Sequence, residues 1–168
     1  NYTVTLAPTA GTITKANLYI NEVSVSNKVY DGTKTALLKG GVIKAINNDE
    51  VTLITENATG LFESKDVGES KVVLANGYTI TGIDSNYYNL IQPLGLYADI
   101  SPKPLLVMAN SDARIYDSTA YLGGNGVTLN GLVANESFWD LTGTLNYVGS
   151  SQGATSSGTY SIIPVGLT

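Results

Sequence analysis

Apolar and polar positions alternate with a period close to two along almost the whole chain. In Leu141-Thr142-Gly143-Thr144-Leu145-Asn146-Tyr147-Val148 one parity carries Leu, Gly, Leu and Tyr, and the other mostly Thr and Asn, as a half-buried strand requires. Similar runs predict strands around Tyr2 to Ala7, Leu18 to Val25, Val51 to Thr55, Lys71 to Leu74 and Tyr78 to Ile83. Further strands are expected at Tyr88 to Ile91, Leu96 to Ile100, Leu105 to Ala109, Gly143 to Val148 and Thr159 to Ile163. Between them lie Gly40-Gly41, Asn47-Asn48-Asp49, Asn76-Gly77, Gly123-Gly124-Asn125-Gly126 and Gly149-Ser150-Ser151, residues that tolerate positive φ or close Asx-turns. No window keeps the i, i+3, i+4, i+7 apolar stripe of a helix. The expected class is all-β, with short strands punctuated as in a sandwich.

Composition narrows the function more than the fold. The 168 residues allow one β-rich domain or two small ones. With 43% apolar residues, 18 Gly, 11 Tyr and a net charge of −5, the chain has neither the low hydrophobicity nor the charge that keeps a polypeptide disordered. Nine basic residues stand against 14 acidic ones with no basic run among them, so no nucleic acid partner is expected. No apolar stretch approaches the roughly 20 residues of a bilayer-spanning helix, and no membrane insertion is expected. There is no His and no Cys. That removes thiol nucleophiles, disulfides, thiolate and imidazole metal sites, and Ser/His/Asp chemistry. The remaining carboxylates are scattered, none beside an aromatic cluster that would mark a sugar cleft, so a glycosidase pair is the least expected reading and no enzyme activity is anticipated. No signal peptide is visible, and Asn1 opens abruptly in a strand-like run, as in a fragment or processed chain.

Internal repetition is the most informative feature. Lys28-Val29-Tyr30-Asp31-Gly32-Thr33 matches Arg114-Ile115-Tyr116-Asp117-Ser118-Thr119, 86 positions on. Ile13-Thr14-Lys15-Ala16-Asn17-Leu18 matches Ile100-Ser101-Pro102-Lys103-Pro104-Leu105 at 87, and Asn1-Tyr2 and Ala7-Pro8 match Asn86-Tyr87 and Gln92-Pro93 at 85. Each copy therefore runs from an Asn-Tyr strand through Ile-(Ser/Thr) and an apolar strand to Tyr-Asp. A unit of this length, all strand and turn, is close to a seven-stranded immunoglobulin-like sandwich of ~100 residues.

These landmarks resemble the YDG and MBG repeat families, small bacterial immunoglobulin-like domains found in tandem in large surface adhesins of the filamentous-haemagglutinin type. The resemblance rests on Lys28 to Thr33, the Asp66-Val67-Gly68 step before a strand, Asn86-Tyr87, and the junction Ala98-Asp99-Ile100-Ser101-Pro102-Lys103-Pro104-Leu105. In the second copy Ser118 replaces the Gly, and Ser157-Gly158-Thr159-Tyr160 looks closer to the MBG variant. The resemblance implies tandem immunoglobulin-like β-sandwich domains arranged end to end. Residues 1–14 are expected to be the closing strand of a preceding repeat, 15–101 a complete repeat, and 102–168 a second repeat without its last strand. It further implies an extracellular, bacterial cell-surface location and a non-catalytic stalk or spacer role in a secreted adhesin serving adhesion or biofilm formation. Neighbouring repeats of the same polypeptide are the expected partners. The alternative is a binding module whose sandwich-end loops recognise a glycan or a host or bacterial surface protein.

Individual residues admit a structural and a functional reading. Tyr30-Asp31-Gly32 could touch a glycan, but an Asx-turn with a left-handed Gly explains the triplet better. Asn47-Asn48-Asp49-Glu50 and Asp84-Ser85-Asn86 offer oxygen ligands for calcium without the alternate spacing of a chelating loop. Polar turns are the preferred reading, and neither a metal site nor a cofactor is assigned. Asn1, Asn57 and Asn135 head Asn-x-Ser/Thr sequons. Phe138 and Trp139 read as a core or inter-domain plug in preference to a ligand platform. Two prolines in the junction predict a short, stiff connection, and the orphan strand at Tyr2 to Leu6 is expected to add to an open sheet edge.

Overall fold

The computed structural model describes residues 1–168 and divides into two compact units, Asn1–Ser101 and Pro102–Thr168. It is nearly all β and contains no α-helix. The first unit holds β1 (Ala16–Tyr19), β2 (Asn21–Val25), β3 (Lys28–Val29), β4 (Thr35–Ala36), β5 (Leu38–Val42), β6 (Thr52–Ile54), β7 (Thr59–Phe62), β8 (Gly68–Asn76), β9 (Thr79–Thr81), β10 (Tyr88–Ile91) and β11 (Leu96–Ser101). The second holds β12 (Leu106–Ala109), β13 (Val127–Asn130), β14 (Gly143–Val148) and β15 (Ile163–Leu167).

In the first unit a five-stranded sheet runs β3-β11-β8-β7-β4, and β1-β10, β2-β5 and β6-β9 form pairs. Two pairings are parallel, and they share a register. Ala16 lies opposite Tyr88 in β1/β10, and Lys28 lies opposite Ile100 in β3/β11. Asn27 and Asp99, joined by two side-chain hydrogen bonds of 2.9 Å, are 72 positions apart, the same separation as both strand pairs. The incoming segment 16–29 and the outgoing segment 88–101 thus advance side by side in one direction. The chain comes into this ladder at Ala16 and leaves it at Ser101, up to roughly 43 Å further on at ~3.3 Å per residue. Between the two parallel stretches β2 departs to pair with β5. Where Pro93 has no N–H to give, the Gln92 side chain substitutes for backbone, donating to Tyr78 O at 2.9 Å and accepting from Tyr78 N at 3.1 Å.

Strand alternation builds the core of this unit. Val73 and Ala75 of β8 are buried while the alternate residues Val72 and Leu74 face out. Ala36, Phe62, Val73, Ala98 and Ile100 form one cluster, Ile20, Ala75 and Tyr78 another, and Leu38 and Leu96 pack against both. The outgoing segment alone supplies Tyr88, Ala98 and Ile100 to the buried set, so covering the core depends on its being in place.

The second unit is built differently. It consists of two antiparallel pairs, β12-β13 and β14-β15, and all ten buried apolar residues of the protein lie outside it. Its one buried residue is Ser151. Elements corresponding to β1 and β3 are missing as well. Lys103 to Leu105 and Arg114-Ile115 carry no strand, and Ile115 is 91% exposed. In the first unit these two elements exist by pairing with the outgoing segment.

Several expected strands differ from those observed. Tyr2 to Ala7 forms none. Residues 1–15 are without secondary structure, with Tyr2, Leu6 and Ile13 almost fully exposed, and they join none of the sheets. Leu18 to Val25 is two strands, broken at Ile20 where the backbone changes partner, with Glu22 at φ 58. Gly40-Gly41 lies inside β5 instead of forming a turn. Gly40, at φ 76, faces the Glu22 carbonyl so closely that a Cβ would collide with its oxygen. The last strand is Ile163–Leu167, displaced from Thr159 to Ile163. β3, β4, β5, β7 and β13 lie outside the expected strands, their runs being too brief or too Gly-rich to show a period.

Phe62→Ala should destabilise the first unit by about 3–5 kcal/mol in chemical denaturation. Leu61→Ala, at a half-exposed neighbour, should change it by about 0.5 kcal/mol. Gly40→Ala should cost more than about 1 kcal/mol through the forced contact and the positive φ.

Candidate functional site: the turn that closes the parallel ladder

The Tyr-Asp-Gly turn sits where β3 meets the end of β11. Tyr30 N donates to Ser101 O at 2.9 Å, the last backbone bond of the ladder, and the Tyr30 ring packs against the Phe62 cluster. Asp31 Oδ1 accepts from Thr33 N and Thr33 Oγ1, both at 2.9 Å, which makes an Asx-turn, with Gly32 at φ 75. Lys28 folds back over it. Its ammonium donates to Asp31 Oδ1 at 2.7 Å, Thr33 O at 2.8 Å, Thr35 O at 3.0 Å and Thr33 Oγ1 at 3.1 Å, and stands 5.5 Å from the centre of the Phe62 ring. The Lys28 hydrogen bond, followed by that from Thr33 N, holds the Asp31 carboxyl at about 2, against 3.8 for a free aspartate. Asp31 Oδ1 and Tyr30 N are both committed to bonds within the unit, which favours the structural reading of the motif.

The second unit repeats this turn without the ladder beneath it. Asp117 Oδ1 accepts from Thr119 Oγ1 at 2.7 Å and Thr119 N at 2.9 Å, which lower its pKa, and Ser118 takes φ 60 where Gly32 has 75. Arg114 replaces Lys28, donating to Thr119 O and to Thr119 Oγ1, 3.7 Å from Asp117 and 5.5 Å from the centre of the Tyr121 ring. The correspondence of the two copies therefore extends from sequence to turn geometry.

A second lock lies on the same ladder. Besides its two bonds with Asn27, Asp99 accepts from Ser70 N at 2.8 Å, tying incoming segment, outgoing segment and β8 together. Asn27 carries no period or motif that marks it in sequence, and Asp99 stood out only as part of the junction. Their pairing becomes visible once the 72-residue register is known.

The two acidic stretches come together in space. Asp84 Oδ2 accepts from Glu50 N at 2.9 Å, and Asp49 Oδ2 accepts from Tyr88 OH at 2.6 Å. Tyr88 OH also accepts from Ile46 N at 2.8 Å, and the bond to Asp49 raises its pKa above that of an ordinary tyrosine. These carboxylates anchor the start of β10, and no group of three or more acidic side chains gathers around a common centre.

In the second unit Tyr116, Tyr121, Tyr160, Asp112 and Arg114 line an open cleft of about 440 Å³. Trp139 does not plug a core. It is 88% exposed in the short 3₁₀ turn Phe138–Asp140, edge-on to Phe138 at 5.7 Å, because Ser137 and Asp140 cap that turn reciprocally and turn the indole outward. The sequon residues Asn1, Asn57 and Asn135 are all exposed.

Residues 14–93 match the model of the YDG domain. The match ends before β11, although Ala98 and Ile100 of that strand complete the core. No curated protein and no solved structure matches the chain.

Asp31→Asn should lower stability by about 1 kcal/mol or less, since the carboxylate is half exposed and screened. The folded-state pKa lies below the unfolded one, so this contribution is complete above pH ~4 and disappears as pH falls towards 2. Urea melts of both proteins at pH 7, 4 and 2.5 should accordingly converge at the lowest pH.

Proposed function

Taking residues 14–93 as a YDG domain, we propose that the chain is a tension-bearing spacer: a stalk segment of immunoglobulin-like sandwiches, arranged end to end, from a large secreted bacterial surface adhesin. It works without catalysis, at the cell surface, and holds a binding region away from it. One observation carries this reading. The incoming and outgoing segments of the first unit run parallel in a single register, so tension applied through the chain loads β1/β10 and β3/β11 along their length. Hydrogen bonds loaded in that direction share the force, whereas bonds at a peeled end break one after another. The Lys28–Asp31–Thr33 turn and the Asn27–Asp99–Ser70 lock stand at the outgoing end, where the load leaves the unit. The absence of His and Cys fits a protein whose work is extension and not chemistry.

A second reading has its own support. The three tyrosines, Arg114 and Asp112 around the cleft of the second unit are side chains suited to stacking on and hydrogen bonding a sugar, so this unit would act as a glycan-binding module. A glycan array separates the two, with selective binding that is lost in Tyr121→Ala favouring the second.

Single-molecule pulling tests the spacer reading. Cysteine handles at Lys15 and Lys103 load the ladder in shear, and handles at Lys15 and Tyr87 peel β1 from β10 from one end. The first geometry should need several times the force of the second. Equal forces would remove the mechanical basis of the proposal.

A further inference from the structure

The chain changes partner strands at Leu37, and a cavity opens where it does so. β4 pairs with β7 as far as Ala36, opposite Gly60, and the chain then crosses to β2 as β5. Thr35 to Gly40 form one wall of a cavity of about 450 Å³, and Thr55 and Ala58 to Leu61 form the other. Every residue of both walls belongs to the first unit.

Tyr78 lines the cavity and is only 4% exposed, yet its hydroxyl makes no hydrogen bond; the residue is held through its backbone N and O, both by Gln92. No polar side-chain atom is sealed in without a partner, so the Tyr78 oxygen reaches the open space of the cavity. The hydroxyl end of the ring lies beside β5, where a Cβ on Gly41 would stand 3.4 Å from Tyr78 Cε1. Burial raises the Tyr78 pKa, which keeps the hydroxyl protonated and able to donate. The β5 wall is a free strand edge. Ser26 N donates to Leu37 O at 3.0 Å and Ser24 lies opposite Lys39, so alternation turns the N–H and C=O of Leu38 and Gly40 away from β2, where no strand pairs with them. Lys39 is the one charged residue of the lining, which holds no Asp or Glu.

We propose that this cavity binds an extended peptide bearing an acidic side chain, which adds as a strand to the free edge of β5 and sets its carboxylate on the Tyr78 hydroxyl. Leu38 and Gly40 offer the N–H and C=O groups that a peptide main chain pairs with, and the pocket beside them selects the side chain. A lone lysine in a lining without carboxylates favours an anion. A carboxylate accepting from an O–H makes a short, charge-assisted bond, and Tyr78 gives up no protein acceptor to form it. The site is independent of the mechanical reading, because no residue of β1, β3, β10 or β11 lines it.

The test titrates the 168-residue chain with the acetylated, amidated pentapeptide Thr-Val-Glu-Val-Thr while backbone amide resonances are followed. The Leu38 and Gly40 amides should shift, saturating at one peptide per chain, and a peptide with Gln in place of Glu should bind about tenfold more weakly. Tyr78→Phe should weaken binding of the Glu peptide about tenfold while leaving the melting temperature unchanged or higher, because the lost hydroxyl has no partner in the protein. Lys39→Gln should weaken it as well, by a margin that shrinks as salt is added. Glutarate, a free diacid with no main chain to pair, should bind far more weakly than the peptide. Unmoved Leu38 and Gly40 amides, equal binding of the Glu and Gln peptides, or undiminished binding by Tyr78→Phe would overturn the proposal. Glutarate binding as tightly as the peptide would overturn strand addition and leave a site for small acids alone.

Discussion

The parallel pairing of β1 with β10 and of β3 with β11 is the constraint on which the rest of the first unit depends. Parallel strands far apart in sequence are costly to bring together, because the loop between them must close before any of their contacts form. Here the intervening strands offset that cost. β8 pairs with β11 along much of its length, β7 and β4 extend the sheet, and β2, released from the ladder between β1 and β3, finds β5. Phe62 and Ile100, the two most deeply buried large side chains, sit where these commitments converge, directly under the Lys28 turn.

The two units amount to an experiment in the importance of that pairing. Both contain the Tyr-Asp turn with the same Asx geometry, the same reach of a cation from three positions before it, and a positive-φ residue after it. Local chemistry therefore forms the turn in either setting. β1 and β3, and a cluster of buried apolar side chains, belong to the first unit, where residues 88–91 and 100–101 pair with those strands. The turn is a consequence of short-range hydrogen bonding, and the sheet around it a consequence of long-range strand pairing. This division gives the YDG triplet its role. It finishes the ladder, and what it finishes must come from elsewhere in the chain.

Much of this was legible in the sequence. Period-two alternation locates most of the longer strands, with β14 read to the residue, and the spacing of the two Tyr-Asp motifs marks two turns of matching geometry. The Asx role of Asp31 followed from residue chemistry alone. What sequence could not supply was partner choice. Tyr2 to Ala7 has a strand's alternation but joins no sheet, whereas Gly40-Gly41 looks like a turn and instead lets β5 approach Glu22 closely. Trp139 misled for a similar reason, since a large aromatic is ordinarily buried, and only the capped 3₁₀ turn shows it facing water. The Asn27–Asp99 lock spans 72 positions, so no local pattern could announce it.

Native-state hydrogen exchange measures the central claim directly, because protection reports which pairings open last. Amides of β8, β10 and β11 in the first unit should exchange only through global unfolding, with the incoming strand β1 protected to the same degree as its partner β10. Amides of β12 to β15 should exchange orders of magnitude faster, by local opening of a unit without a buried core. If β1 instead exchanges freely while β8 and β11 remain protected, or if the second unit is as protected as the first, the parallel ladder is not what holds this protein together.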